Sequence, residues 1–275
     1  MAAEYIQGDT MTFSIIVVCY NAGSKLQKTI QSIRSQTEKD YEIIVKDGLS
    51  TDGSVEALFP GEDMKVFCRK DKGIYDAMNQ AVEHAAGRYL FFLNCGDYFQ
   101  DETVLARVKQ EIEKRDRKPR ILYGNILERS TGAYVMSNPQ IDDFACYRNV
   151  PCHQACFYDR RLLKKRGFRT CYKVRADYEH FLWCYYRARA SMDYMPVTVV
   201  SYEGGGFSET KENKRRSAVE HAHIVSRYMS REQIVRYRLI LLLTLAPLRT
   251  YLASNQVTAG IYQGLKRRVY GGKHE

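Results

Sequence analysis

Asp71-Lys72-Gly73-Ile74-Tyr75-Asp76-Ala77-Met78-Asn79, followed after one helical stretch by Phe91-Phe92-Leu93-Asn94-Cys95-Gly96-Asp97, decides the fold. A polar loop opens a helix, the helix feeds a short apolar strand, and the strand ends in a small polar turn with one carboxylate. Ligands of open α/β folds bind outside the carboxyl ends of the strands, so a carboxylate there is placed to hold a metal ion or a nucleotide. The same arrangement occurs earlier, where Tyr41-Glu42-Ile43-Ile44-Val45-Lys46 runs into Asp47-Gly48-Leu49-Ser50-Thr51-Asp52-Gly53. Two strand-end carboxylate turns imply one site.

Working outward, Phe13-Ser14-Ile15-Ile16-Val17-Val18-Cys19 is a continuous apolar run, as a central strand covered on both faces requires. Tyr20–Ser24 turns it into a helix reaching about Arg34, with Ser24 as the expected cap. Strand 41–46, the Asp47–Gly53 turn, a short helix, strand 64–68, helix 74–86 ending at Gly87 and strand 88–93 follow. Such strand–helix alternation predicts parallel strands joined by right-handed crossovers. Beyond residue 100 the pattern is mixed: a charged helix over 101–115, strands 120–128 and 133–137, and a strand passing into a helix over 157–165. A helix over 175–190 carries Asp177, Glu179 and Trp183, and a strand over 192–201 leads to the glycine-rich loop 204–208.

The 275 residues suffice for one large α/β domain with an appendage. The net charge of +10 is unevenly placed. Residues 211–275 hold 13 Lys and Arg against 4 Glu, a balance of +9, which leaves about +1 for residues 1–210. The boundary is therefore placed near residue 210, between a near-neutral body and a basic tail. The tail reads as helices over 212–229 and 231–254, with a break at Pro247, and a third over 256–269. Leu239–Leu248 is strongly apolar, too short to span a bilayer and flanked by arginines and lysines. A helix with apolar and basic faces lies in the plane of an anionic membrane surface; a hairpin packed on the body, or on the second subunit of a homodimer, is the alternative. No secretory signal is evident at the N-terminus. The eight cysteines form no disulfide framework, which favours free thiols in a reducing cytoplasm. Cys146, Cys152, His153 and Cys156 fit no usual zinc spacing.

With these residues assembled, the chain resembles the family 2 glycosyltransferases of the GT-A fold, including the bacterial enzymes that build exopolysaccharide, capsule or O-antigen repeat units, the colanic-acid type among them. The similarity covers about residues 13–208 and rests on Ser14–Asn21, Asp47–Gly53, Asp71–Asn79, Phe92–Asp97 and Ala176-Asp177-Tyr178-Glu179. It implies an α/β GT-A domain with a mixed central sheet, here followed by a C-terminal helical extension. It also implies an inverting transfer of a sugar from a nucleotide diphosphate, UDP being the leading choice, to a glycan or polyprenyl-linked acceptor at the cytoplasmic face of the cell membrane.

Transfer from a nucleotide sugar requires stabilising the departing diphosphate, which a Mn²⁺ or Mg²⁺ ion does through hard oxygen ligands. The family usually supplies Asp-x-Asp; here Asn94 and Gly96 stand in those places, leaving Asp97 as the metal ligand, aided by Asn94. By resemblance Asp47 meets the nucleotide base, Cys19, Tyr20 and Asn21 line the same pocket, and Asp71 and Lys72 reach the nucleotide or its diphosphate. Asp52 reads as a cap, and Asp76 and Asn79 as braces of their helix. The acceptor hydroxyl also needs a base. Asp177 matches the family position for it, Glu179 is the second candidate, and His153 fits a position on the acceptor side.

Two other readings compete. A sugar-1-phosphate nucleotidyltransferase shares the fold class but carries a different glycine-rich N-terminal loop, absent at residues 13–25. A nucleic-acid-binding protein would suit the basic charge, yet that charge lies beside leucine-rich sequence and not among exposed aromatics, which speaks for no nucleic acid.

Overall fold

The computed structural model describes residues 11–204 and 210–244. The chain divides into two compact units, Met1–Ile224 and Val225–Glu275. Within the first, β1 (Phe13–Cys19) lies between β2 (Tyr41–Asp47) and β4 (Tyr89–Phe92), with β3 (Met64–Cys68) beyond β2, all parallel. The rest of the sheet is mixed. β8 (Cys156–Asp159) runs antiparallel between β4 and β6 (Arg120–Glu128), and β9 (Ser191–Tyr202) pairs parallel with β6. β5 (Tyr98–Phe99) closes the far edge antiparallel to β9, and β7 (Ala133–Val135) pairs with β6. Among the described residues the order is β3-β2-β1-β4-β8-β6-β9-β5. This is the α/β architecture with a mixed sheet that the sequence implied.

The helices are α1 (Ser24–Arg34), α2 (Ile74–Glu83), α3 (Val104–Glu113), α4 (Asp143–Arg148), α5 (Arg160–Lys165), α6 (Ala176–Tyr186), α7 (Lys211–Tyr228) and α8 (Arg231–Leu243). α1 buries Leu26, Thr29, Ile30 and Ile33, and α2 buries Ala77, Met78, Ala81 and Val82, the spacing of one helical face turned to a sheet. The core joins both halves of the sheet: the Phe91 ring stacks on Phe157 at 4.4 Å and on Phe99 at 5.2 Å. Gly87, between α2 and β4, passes so close to β1 that a Cβ would lie 2.4 Å from the carbonyl carbon of Phe13. Its N–H donates to the Ser14 hydroxyl, which donates in turn to the buried Glu42 carboxylate.

Register places the site. Cys19 pairs with Asp47, so β1 and β2 end level and their loops start side by side. Asn21 adopts φ 48°, donates its N–H to Ser50 Oγ (2.8 Å) and accepts from the Thr51 N–H (2.9 Å). Asp52 accepts from the Gly23 N–H at 2.8 Å and the Ser54 N–H at 3.1 Å.

Several boundaries differ from expectation. Residues 54–57 form turns, not a short helix. Ser24 sits within α1 behind Gly23, whose N–H the Asp52 carboxylate satisfies instead. β5, α4 and a 3₁₀ turn at His153–Ala155 were not anticipated. α8 begins with a reciprocal cap, Ser230 accepting from the Gln233 N–H and Gln233 from the Ser230 N–H. Loop residues 205–208, the end of the apolar run over 245–248 with Pro247, and the helix expected over 256–269 lie outside the described residues. Among the described residues no helix is long and apolar enough to cross a membrane.

Candidate active site

A cleft of about 1150 Å³ opens at the carboxyl ends of β1 and β4. Cys19, Tyr20 and Asn21 line it from the first loop, and Asn94 and Asp97 from the turn after β4. His153, Gln154 and Asp177 line it from the second half of the domain, together with Val135, Met136, Phe144 and Arg148. Residues far apart in sequence therefore share one concavity, lined by polar and apolar side chains together.

Asp47 does not line the cleft directly. One of its oxygens accepts the N–H groups of Leu49 (2.8 Å) and Ser50 (2.9 Å); the other accepts from Ser50 Oγ (2.5 Å) and Cys19 Sγ (3.4 Å). Burial alone would raise its pKa, but these donors hold the carboxylate below its ordinary range. Asp47 thus shapes the loop under the exposed Tyr20 ring. Asp71 is also committed: it takes the ammonium of the fully buried Lys46 on one oxygen and the Gly73 N–H (3.0 Å) on the other. Lys46 further donates to the Arg69 carbonyl at 2.6 Å, which ties the loop before α2 to β2. Neither Asp71 nor Lys72 lines the cleft. Asp76 accepts the Lys72 N–H, and Asn79 clamps Phe168 through both its backbone N–H and carbonyl, each at 2.8 Å.

The turn Asn94–Asp97 is held from four sides. The Asn94 N–H donates to the buried Gln154 side chain at 3.0 Å, and the Gly96 N–H donates to Thr29 Oγ1. Gly96 takes φ 96°, a conformation suited to glycine, and its carbonyl accepts from Arg129. Asp97 is 4% exposed and accepts the Glu203 N–H at 2.7 Å. Burial pushes its carboxyl up, against the pull of that N–H, Gln154 and Arg129. It does not cap the following helix. The Asn94 side-chain oxygen is buried with no hydrogen-bond partner among the described residues. Two hard oxygens, one of them unsatisfied, are a donor set that suits Mg²⁺ or Mn²⁺ completed by phosphate and water. No cluster of three or more His, Cys, Asp or Glu side chains forms a closed cage among the described residues.

Asp177, also lining the cleft, is half-buried in the first turn of α6. Its Oδ1 accepts from Tyr75 Oη at 2.8 Å, and the same hydroxyl lies 2.8 Å from the Val174 carbonyl oxygen. Glu179, two residues on, is fully buried and bound by the Arg166 guanidinium at 3.0 and 2.5 Å. It is absent from the cleft lining. His153 lines the cleft with its Nδ1 lacking a partner among the described residues. Burial holds it below the ordinary imidazole range, opposed by Asp177 and Asp97, so it is neutral at pH 7.

The structure brings Cys19, Tyr20, Asn21, Asn94, Asp97, His153 and Asp177 to one cleft and leaves Asp47, Asp71, Lys72 and Glu179 behind it. The sequence reading assigned no role to Tyr75, Gln154, Lys25 or Glu203. Lys25 and Glu203, both lining the cleft, pair at 2.6 Å. Tyr75 stands inside the Asp71–Asn79 motif, but its partner is 102 positions away and nothing local marks it.

A sequence profile described as "Glycosyl transferase family 2" matches residues 14–187, and the chain belongs to that family. It is a glycosyltransferase of GT-A-like fold. A PGL/p-HBAD biosynthesis glycosyltransferase of Mycobacterium bovis is 35% identical over 209 residues, covering 74% of this chain and 81% of the relative. The Escherichia coli UDP-Glc:alpha-D-GlcNAc-diphosphoundecaprenol beta-1,3-glucosyltransferase WfaP is 32% identical over 165 residues, covering 56% and 63%. Among solved structures, S. aureus TarS 1–349 in complex with UDP-GlcNAc aligns with a TM-score of 0.65 at 18% identity, covering 82% of this chain and 71% of that one. The chain spans 44% of the longer TarS chain. A mannosyltransferase from Pyrobaculum calidifontis in complex with GDP-Man and Mn2+ aligns at 0.61 and 18% identity, covering 94% and 80%.

Proposed function

We propose that this glycosyltransferase inverts the anomeric centre of a nucleotide-diphosphate sugar in one displacement, with Asp177 as general base, and delivers the sugar to a lipid-linked glycan acceptor in bacterial surface polysaccharide synthesis. The observation that carries the reading is the cleft whose lining collects Asn94, Asp97 and the half-buried Asp177. Cys19, Tyr20 and Asn21 form the floor for the nucleotide. Asp47 and Asp71 act from behind by fixing the loops that meet it.

Asp97 and the Asn94 side-chain oxygen would hold a divalent cation, which when bound neutralises charge on the diphosphate. Asp177 takes the proton of the acceptor hydroxyl as that oxygen bonds to the anomeric carbon. The bond from that carbon to the diphosphate oxygen breaks with its electron pair on the leaving group. Asp177 is favoured over Glu179 because Glu179 is already consumed by Arg166. Neutral His153 orients the acceptor by a hydrogen bond.

UDP is the favoured nucleotide: relatives and structural neighbours named for UDP-Glc, UDP or UDP-GlcNAc support it, with GDP the other arm of the test. A lipid-linked acceptor is supported by the relative named for a diphosphoundecaprenol substrate and by Val135, Met136, Phe144 and Arg148 along the cleft. Exposed Val135 and Met136 offer apolar surface beside the exposed Arg148, a combination suited to a diphosphate joined to a lipid. Attachment to the inner membrane surface is supported by α8, whose exposed Val235, Leu239, Leu242 and Leu243 share one helical face with Arg236 and Arg238 beside it. A thermal-shift screen of UDP-glucose, UDP-GlcNAc and GDP-mannose, each with and without Mn²⁺, tests the donor assignment. A shift with one nucleotide sugar, enhanced by Mn²⁺, is expected; no shift with any of them would sink it.

A further inference from the structure

A tyrosine hydroxyl has one proton to donate, yet Tyr75 Oη lies 2.8 Å from two acceptors, Asp177 Oδ1 and the Val174 carbonyl oxygen. It can serve only one of them fully at a time. Which one it serves depends on the charge of Asp177, because a carboxylate is a far better acceptor than a neutral carboxyl group.

The second acceptor is fixed with unusual care. Glu220, on α7 and 8% exposed, accepts the consecutive backbone N–H groups of Lys173 (2.8 Å), Val174 (3.0 Å) and Arg175 (2.9 Å). Arg175 is anchored again through Nε to Ser217 Oγ at 2.6 Å. The segment leading into α6 is thereby held to α7, with the Val174 carbonyl on the Tyr75 hydroxyl. The Tyr75 ring is 9% exposed and packs on Phe168 at 5.7 Å, so the hydroxyl cannot swing away and can only rotate its proton.

We propose that Tyr75 is a positioning residue for Asp177 that passes its hydroxyl hydrogen bond between two partners during the reaction, with Glu220 holding the second partner in place. While Asp177 is a carboxylate, the Tyr75 proton points at Oδ1 and leaves the other oxygen to the acceptor hydroxyl. When Asp177 has taken the acceptor's proton, the Tyr75 O–H turns to the Val174 carbonyl, so no buried donor is left unpaired. Tyr75 keeps its proton throughout; the only proton transferred is the acceptor's. Burial and the neighbouring Asp177 push the phenol well above its ordinary pKa, which agrees with a tyrosine that never ionises.

Other titratable groups feel the Asp177 charge: Cys152 and His153 from the loop and turn before β8, and Cys156 and Tyr158 from β8 itself. Glu220 acts on Tyr75 from α7. Burial disfavours ionisation of these thiols, the imidazole and Tyr158. Tyr75 is the hydrogen-bond donor that the described residues place on the Asp177 carboxylate.

This inference rests on Asp177 being the base, and the test separates the two. The γ-carboxyl ¹³C resonance of Asp177, assigned by its disappearance in Asp177→Asn, is followed through a pH titration of the ligand-free protein. Tyr75→Phe keeps the ring but removes the donor, so the Asp177 transition should move up by about one pH unit. Replacing Tyr75 with 3-fluorotyrosine keeps the hydroxyl and strengthens it as a donor, so the transition should move down. Glu220→Gln, which replaces part of the acceptor for the three N–H groups and so loosens the Val174 carbonyl, leaves the Tyr75 O–H poorly paired when Asp177 is neutral and should widen the difference between wild type and Tyr75→Phe. Transitions that coincide in wild type and both Tyr75 variants would overturn the inference and leave Asp177 as the base untouched. Undiminished turnover by Asp177→Asn would instead remove the base assignment itself.

Discussion

Glu179 and Arg166 form a two-pronged ion pair at 3.0 and 2.5 Å in the interior, with the Arg166 guanidinium also lying 4.6 Å over the Trp183 ring. Asp177, two positions earlier on α6, faces the cleft. A helix turns about 100° per residue, so two residues apart means nearly opposite faces. The sequence Ala-Asp-Tyr-Glu presents one acid to chemistry and the other to the fold. Removing one partner of a fully buried pair costs about 3–5 kcal/mol; Arg166, the charge left behind, keeps 25% of its side chain exposed, so the lower end applies. Glu179→Gln should therefore lower the melting temperature by roughly 6–12 °C while the folded fraction retains its kcat. Asp177→Asn should do the reverse, leaving stability near wild type and lowering kcat by about 10²–10⁴-fold. Parallel melting curves and single-turnover assays check the pair; equal kcat losses would contradict the assignment.

The Asn94–Asp97 turn should show its role in donor binding. Asp97→Ala removes the carboxylate, and the Mn²⁺-dependent part of the nucleotide-sugar thermal shift should disappear. Asn94→Ala removes the unpartnered oxygen and should weaken that part by about tenfold in Mn²⁺ concentration, about 1.4 kcal/mol. A Mn²⁺ titration of the thermal shift reads both. An unchanged Mn²⁺ midpoint in Asp97→Ala would exclude Asp97 as a ligand.

These contrasts explain what the sequence exposed and what it hid. The parallel half was legible because β1 and β4 are largely apolar runs and β2 centres on Ile43-Ile44-Val45, each with a glycine or polar turn at its end, in alternation with helical segments. α4 and the turn at His153–Ala155 are too short for a periodic signal, and β5 is two residues long. The cleft residues Asn94, Asp97 and Asp177 were legible because strand ends and helix starts have sequence marks. Asp47 and Asp71 carry the same marks, yet their carboxylates are spent on nearby backbone N–H groups and on Lys46, a distinction only coordinates reveal. Glu220 was invisible for a further reason: its three partners are backbone N–H groups, which no residue identity announces.

His180 sets an acid limit on stability. It is fully buried among Tyr158, Phe168 and Trp183, with its Nε2 3.4 Å from Cys184 Sγ. Burial, helped by Arg166, lowers its pKa to about 3. The native state holds it neutral, whereas the unfolded chain protonates it near pH 6.5. The unfolded state therefore binds more protons between those values, and stability falls as pH drops from about 6.5 towards 3, by about 1.4 kcal/mol per pH unit from this group. Above pH 6.5 the contribution is complete. Urea midpoints at pH 7 and pH 4.5 should differ less in His180→Phe than in wild type. An unchanged difference would show that other groups govern the acid limb.

Membrane attachment is best tested by point changes in α8. Cutting the chain after residue 210 would remove Glu220 along with the tail, and with it the anchor for Lys173, Val174 and Arg175 ahead of Asp177. Loss of activity or of sedimentation in such a fragment would then report a damaged site as readily as a lost membrane contact. Leu239 and Leu242 avoid this difficulty, since they are 53% and 61% exposed and neither holds a core together. A leucine moved from water to an apolar phase contributes about 1.5–3 kcal/mol, and each basic side chain near an anionic surface about 1 kcal/mol. Leu239→Gln combined with Leu242→Gln should lower partitioning onto vesicles containing anionic lipid by at least about tenfold without lowering the melting temperature. Arg236→Gln combined with Arg238→Gln should weaken partitioning onto anionic vesicles and leave neutral vesicles unaffected. Sedimentation that stays at the wild-type level in both double variants would move the apolar face of α8 from a lipid surface to a protein contact, which analytical ultracentrifugation would register as a dimer that dissociates in the leucine variant.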